Sequence, residues 1–102
     1  MATPKKLKRE GRSFWRRVMS EFELVEGHDL ARLEMACKTL DDLAVAEEQI
    51  KNDGMFTKNR YGSTVENPAV KTVKDLRLLF VKIIRELNLD VTVPESRPPR
   101  GY

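Results

Sequence analysis

Three local signals between Gly54 and Pro68 constrain the fold more than any other part of the sequence. Gly54 follows a long segment with helical periodicity and can adopt the positive φ that ends a helix. Gly62 lies in a short polar segment typical of a tight turn. Asn67 can cap a helix, and Pro68 is tolerated at a first helical position because its missing N–H needs no partner there. This order predicts a long helix, a small hairpin-like lobe and a second long helix.

Apolar residues recur at helical spacing on both sides of this lobe. The helix before it is predicted from an Asp29 cap to about Asn52, with the apolar stripe Leu30, Leu33, Cys37, Leu40 and Ala44. The helix after it is predicted from Pro68 to Asn88 or Asp90. Its apolar positions are Val70, Val73, Leu76, Leu79 or Phe80, Ile83 or Ile84, and Leu87. The two long helices are expected to pack antiparallel.

A third, short helix is predicted at about residues 14–22, capped by Ser13 and anchored in the core by Trp15. The fold class is therefore mainly α, with a short N-terminal helix, two long helices and the lobe. Residues 1–12 are predicted to form a flexible basic arm, residues 13–90 the helical domain, and residues 91–102 an extended, Pro-rich tail.

Charge is distributed unevenly along a chain whose net charge is only +3. Residues 1–17 carry seven basic side chains against Glu10 alone, residues 18–56 carry ten acids against three bases, and residues 57–102 carry nine bases against five acids. Such asymmetry suits a polyanion at the basic ends, or head-to-tail contact between copies. The predicted DNA-binding residues are Lys5, Lys6, Lys8, Arg9, Arg12, Arg16, Arg17, Lys71 and Lys74. A solubilising tail or a protein-binding arm is the alternative for residues 1–12.

The residues that could carry catalysis or bind metal are few. His28 is the only histidine and Cys37 the only cysteine, so neither a zinc site nor an internal disulfide is expected within one chain. Cys37 lies on an apolar stripe and is predicted to be an inert core thiol. No catalytic residue, metal or cofactor is expected.

Acidic side chains of the first long helix are interpreted as a solvated face rather than a metal site; these are Asp41, Asp42, Glu47 and Glu48. A two-metal centre needs carboxylates that converge from several elements. No phosphate-binding loop follows Gly54 or Gly62. The sequence also shows no signal peptide and no membrane span, so we expect a soluble, intracellular protein.

The order of these signals resembles that of phage terminase small subunits, of the short family common in prophages. The resemblance covers roughly residues 13–100. It rests on Trp15 in a short helix, Leu30 to Cys37, Asp53-Gly54, Tyr61-Gly62, Asn67-Pro68-Ala69, Arg85 to Leu89, Pro94 and an Arg-Pro-Pro tail.

The resemblance implies a non-catalytic role in viral DNA packaging. Family members recognise double-stranded phage DNA, assemble as ring-like homo-oligomers and deliver DNA to the large subunit, which carries the ATPase and the nuclease. It also implies the cytoplasm of the bacterial host as the location. Many family members have an N-terminal helix-turn-helix, whereas this chain has only a basic arm before an acidic helix. Surplus apolar residues such as Met35, Val45 and Val81 are expected between protomers.

Two other functions remain open at this point. One is a phage-satellite or regulatory protein that binds a terminase component. The other is a stand-alone DNA-binding regulator, which would bind DNA tightly without any large subunit.

Overall fold

Three helices and one two-stranded hairpin form the described part of the chain, residues 3–24 and 26–87 of a computed structural model. In chain order they are α1 (Arg9–Glu21), α2 (Gly27–Asp53), β1 (Phe56–Lys58), β2 (Thr64–Glu66) and α3 (Pro68–Leu87). The predicted mainly α fold, with a hairpin between two long helices, is confirmed. Within these ranges, no helix is long and apolar enough to cross a membrane.

The turn between α2 and the hairpin depends on Gly54. Its φ of 87° lies in the region that favours glycine, and its N–H donates to the Ile50 carbonyl at 2.7 Å. This contact satisfies one of the carbonyls left over at the end of a helix. Gly54 therefore ends α2 as predicted, and α3 can return along α2 in the opposite direction.

The hairpin is short and regular. Antiparallel pairing joins Phe56 to Glu66, Thr57 to Val65 and Lys58 to Thr64. In the turn, the Asn59 Oδ1 atom accepts the backbone N–H groups of Tyr61 and Ser63 at 2.9 and 3.0 Å. Gly62 has a φ of 82°, so the predicted tight turn is confirmed.

Asn67 fastens the base of the hairpin to the start of α3. Its Oδ1 atom accepts the Ala69 N–H at 3.0 Å, which caps the helix, and its Nδ2 donates to the Gly54 carbonyl at 2.8 Å. Its backbone N–H also donates to the Met55 carbonyl at 2.7 Å. Pro68 is the first residue of α3. The predicted structural roles of Asn67 and Pro68 are thereby confirmed, and Asn67 does more than cap a helix.

The start of α1 differs from the prediction. The helix begins at Arg9, so the predicted start at residue 14 and the predicted Ser13 cap are wrong. Residues 9–12, assigned above to the flexible arm, belong to α1, and Leu7 before them is buried. Likewise, α2 begins at Gly27 rather than after Asp29, so the predicted Asp29 cap is wrong; Asp29 lies in the first turn of the helix.

The core lies where α1 packs against the N-terminal half of α2 and the C-terminal half of α3. Its buried members are Leu7, Trp15, Val18, Leu33, Ala36, Cys37, Ile83 and Leu87. Phe14 of α1 meets Phe80 of α3 edge to face, with ring centroids 5.4 Å apart. Trp15 is 3% exposed, which confirms its predicted role.

Two further predictions fall on residues that are not described. The helix end between Asn88 and Asp90 and the extended tail of residues 91–102 both lie outside the described residues. The structure describes α3 as far as Leu87.

Candidate nucleic-acid interface

A row of arginines runs along the outer surface of α1. Arg9, Arg12 and Arg16 are separated by three and four residues, which places them on one side of a helix. All three side chains are exposed, whereas Trp15 and Val18 on the other side are buried. Five of the seven predicted N-terminal DNA-binding residues lie at or in this helix: Lys8, Arg9, Arg12, Arg16 and Arg17. Lys5 and Lys6 precede it in an exposed turn.

These charges are not neutralised by the protein itself. Among the described residues, no carboxylate lies within 4.0 Å of the charged groups of the basic side chains from Lys5 to Arg17. Glu10 is the only acid in the first turn of α1. The cationic surface of α1 is therefore available to an external anion.

Two of the arginines make contacts that orient them. The Arg12 guanidinium donates to the Leu7 carbonyl at 2.8 Å. The Arg17 guanidinium lies 5.7 Å from the centroid of the Phe14 ring, within the range of a cation–π contact. Arg9 and Arg16 have neither kind of contact among the described residues. They are the least constrained members of the row.

Asp41 of α2 holds the start of α1 in place. Its carboxylate accepts the backbone N–H groups of Lys8 and Gly11, each at 2.7 Å. The first N–H groups of a helix have no partner within the helix, so Asp41 supplies from another helix what a capping side chain would otherwise provide. The negative charge also lies at the positive end of the helix dipole. Asp41 thereby fixes where the arginine row begins.

Gly11 permits this close approach. A Cβ atom at position 11 would lie 2.5 Å from the Cys37 carbonyl oxygen and 2.6 Å from the Asp41 Oδ2 atom. The first of these is a backbone atom that cannot move aside by rotating a side chain. Only glycine allows the two helices to lie at this distance.

Sequence reasoning missed Leu7, Gly11 and Asp41. Asp41 was interpreted as part of a solvated acidic face, but it is 6% exposed and this prediction is wrong. Its position four residues after Cys37 places it on the core side of α2, which is a usable signal. A glycine inside a segment of good helix formers was a second signal, since glycine there usually marks a close approach. The other acids of the face, Asp42, Glu47 and Glu48, are exposed as predicted.

The two predicted basic residues of α3 are in different surroundings. The Lys71 ammonium donates to Asp75 at 2.9 Å. This hydrogen bond, followed by the charge of Asp75, raises the pKa of Lys71. Lys74 lines a groove with Glu47 and Arg77, which form an ion pair of their own at 2.9 Å. Lys8 lines another groove together with Pro68 and Thr72, so the start of α1 lies near the first turns of α3.

The remaining candidates for chemistry have structural explanations. Cys37 is fully buried, and its burial, followed by the charges of Asp41 and Glu34, raises its pKa to about 12. This agrees with the predicted inert core thiol. His28 is exposed and lies 3.7 Å from Asp29. Across residues 3–24 and 26–87, no three His, Cys, Asp or Glu side chains are grouped so that they could hold a metal ion.

A family model described as "Phage terminase, small subunit" matches residues 11–97, which is most of the chain. A search of curated proteins and a search of solved structures found no match.

Proposed function

Because the chain belongs to the family of phage terminase small subunits, which gives it a role in phage DNA packaging, we propose that it binds double-stranded phage DNA and presents it to the terminase large subunit. The large subunit is the partner that carries the ATPase and the nuclease. In this proposal the small subunit contributes binding and no catalysis, requires no cofactor, and acts in the cytoplasm of the bacterial host as a ring-like homo-oligomer.

The observation that carries the DNA-binding part is the unpaired arginine row of α1. Arginine and lysine bind DNA mainly by neutralising phosphates and releasing condensed counterions. Side chains already engaged with carboxylates contribute less, because the existing ion pair must be broken. The α1 row has no such pairs among the described residues, whereas Lys71 is paired with Asp75. We therefore assign the main phosphate contacts to α1 and the preceding Lys5 and Lys6, with Lys71 and Lys74 as secondary contacts.

The row also explains how binding can occur without a helix-turn-helix. A row of cations along one helix contacts the phosphate backbone, which supplies affinity and orientation but little sequence information. The acidic surface of α2 would repel phosphates. We expect DNA to approach α1 from outside and to avoid the exposed face of α2.

A salt titration of DNA binding tests this proposal. The double variant Arg9→Gln with Arg16→Gln replaces two exposed arginines. It should make the negative slope of log K against log salt concentration shallower by about 2, because each lost phosphate contact removes about 0.9. The control neutralises two bases of α2, Arg32 and Lys38, to glutamine in the same way. The control should leave the slope within about 0.5 of the wild-type value. Equal loss in the two variants would contradict an α1 interface.

Co-purification with the terminase large subunit tests the second part of the proposal, which is that this chain presents DNA to that subunit. The proposal expects the two chains to co-purify and the complex to retain DNA. Binding of the large subunit with no DNA affinity would favour a regulator that acts on a terminase component. Tight, sequence-specific DNA binding with no affinity for the large subunit would favour a stand-alone regulator.

A further inference from the structure

The hairpin between α2 and α3 has little to pack against within its own chain. Phe56, Lys58 and all of β2 are exposed, and only Thr57 is partly buried. Two-stranded hairpins are marginal in water unless they pack on another surface. Asn67 fastens the base of this one, but nothing among the described residues covers its sides. The hairpin therefore has the properties of a contact surface.

Several of the exposed side chains at the hairpin are large and apolar. Phe56 is 64% exposed and Tyr61 is 76% exposed, and Met55 and Val65 are also open to solvent. At the tip, the Arg60 guanidinium lies 5.1 Å from the centroid of the Tyr61 ring. An aromatic side chain next to an arginine is typical of residues that dominate protein interfaces. DNA phosphates would use the charge of Arg60 but would leave the apolar surface uncovered.

A groove of complementary character lies along α2. It has a volume of about 350 Å³ and is lined by Leu40, Leu43, Ala44, Glu10, Glu47, Glu48 and Lys51. The first three provide an apolar floor. Glu47 is paired with Arg77, but neither Glu10 nor Glu48 has an ion pair among the described residues. Lys51 is the one base that lines the groove itself, so its rim is acidic, and Lys8 and Arg9 line the adjoining pocket.

The hairpin of one chain does not occupy its own groove. The groove extends along α2 from Leu40 to Lys51, which lie about 21 Å and about 4.5 Å along the helix axis from Gly54, at 1.5 Å per residue. No hairpin residue lines the groove, and Tyr61 at the tip is 76% exposed, so the tip is uncovered. The tip and the groove are thus two different patches of the same molecule, one basic and aromatic, the other acidic with an apolar floor.

We propose that the Arg60–Tyr61 hairpin tip of one protomer docks in the acidic α2 groove of a second copy of this chain. Arg60 then lies next to Glu48 and Glu10, and Tyr61 packs on Leu40, Leu43 and Ala44. Because the two patches differ, the contact is heterologous, and repetition of one such contact generates a ring when the rotation closes. This inference rests on the homo-oligomer of the proposed function and names the surfaces that build it.

Charge reversal on each side of the contact provides the test. The molar mass is measured by light scattering at micromolar concentration and low salt for the wild type, Arg60→Glu and Glu48→Arg. Both residues are exposed, so both variants should fold with wild-type circular dichroism. Each variant alone should dissociate, with at least a tenfold weaker assembly, because the contact then joins like charges. The matched control Asp42→Arg makes the same change on another face of α2 and should keep the wild-type mass.

Mixing the two variants sharpens the result. In an equimolar mixture the two variants can alternate, so that their contacts again join opposite charges, and a mass well above that of either variant alone should return. Wild-type mass in both single variants would overturn the docking contact while leaving the oligomer and the DNA-binding proposal intact. A monomeric wild type would overturn both the contact and the proposed ring, with DNA binding still judged by its own salt titration. If Tyr61→Ala instead abolishes co-purification with the large subunit and leaves the mass unchanged, the hairpin binds that subunit and the proposal is wrong.

Discussion

The two ends of the α2–α3 helix pair are built differently. At one end α1 closes over the pair, and Trp15, Leu33 and Leu87 are at most 5% exposed. At the other end only the hairpin joins the helices, and large apolar side chains such as Met55 and Phe56 remain open to solvent. The first end contains the buried apolar core that a small domain needs to fold. The second end exposes apolar side chains, which does not stabilise an isolated protomer. Exposed apolar surface of this kind is typical of an interaction surface.

The largest expected difference in stability is between two variants, each of which truncates one apolar side chain at one of the two ends. Leu33→Ala should lower the free energy of unfolding by about 2–5 kcal/mol, because Leu33 is fully buried and the substitution leaves a cavity. Phe56→Ala should change it by less than about 0.5 kcal/mol in the protomer, since Phe56 is exposed. Urea unfolding at low protein concentration measures both. Similar losses would mean that the hairpin end is part of the folding core.

A smaller effect is expected at the contact that joins α1 to α2. Asp41→Ala leaves the N–H groups of Lys8 and Gly11 without their acceptor, which should cost about 1–3 kcal/mol of unfolding free energy. Asp42→Ala is the matched control, because this neighbouring carboxylate is exposed, and it should change stability by less than about 0.5 kcal/mol. Gly11→Ala should destabilise α1 docking in a similar way. If Asp41→Ala behaved like its control, the assigned role of Asp41 would be wrong.

The smallest effect concerns the buried thiol. Burial raises the pKa of Cys37 from 9.0 to about 12, so the folded state keeps a proton that the unfolded state releases above about pH 9. The resulting stability is fully present below pH 9 and is lost as the pH rises toward 12. Wild-type unfolding free energy should therefore fall by about 1 kcal/mol more than that of Cys37→Ala between about pH 8 and about pH 10. Parallel pH profiles for the two proteins would contradict burial of the thiol.

The difference between the two ends also explains what the sequence could predict. The lobe was predictable because Gly54, Gly62, Asn67 and Pro68 act on their own backbone, within a few residues. The start of α1 was not, because its cap comes from Asp41, 30 residues further along the chain than Gly11. Ser13 is the capping residue that the local sequence offers, and the helix start predicted from it is too late. Nothing in the segment itself shows that Leu7 is buried, since its partners come from other helices.

The sequence predicts which residues of the candidate interface are basic, but not how their side chains are arranged on the surface. The sequence predicts that Arg9, Arg12 and Arg16 are cationic and solvated, and the same reasoning applied to Lys71 and Lys74. Only the structure shows that α1 displays its arginines in a row without acid partners, while Asp75 lies against Lys71. Ion pairing depends on side-chain positions, which composition does not specify.

The central claim is that DNA is held by the arginine row of α1, while the hairpin tip serves assembly. The most direct measurement compares the salt dependence of DNA affinity for two double variants, Arg9→Gln with Arg16→Gln and Lys71→Gln with Lys74→Gln. Each pair removes two charges, so total charge is matched. The α1 pair should lower the slope by about 2 and the α3 pair by less than about 1. An equal or larger loss in the α3 pair would place the main DNA contact on α3 and contradict the account.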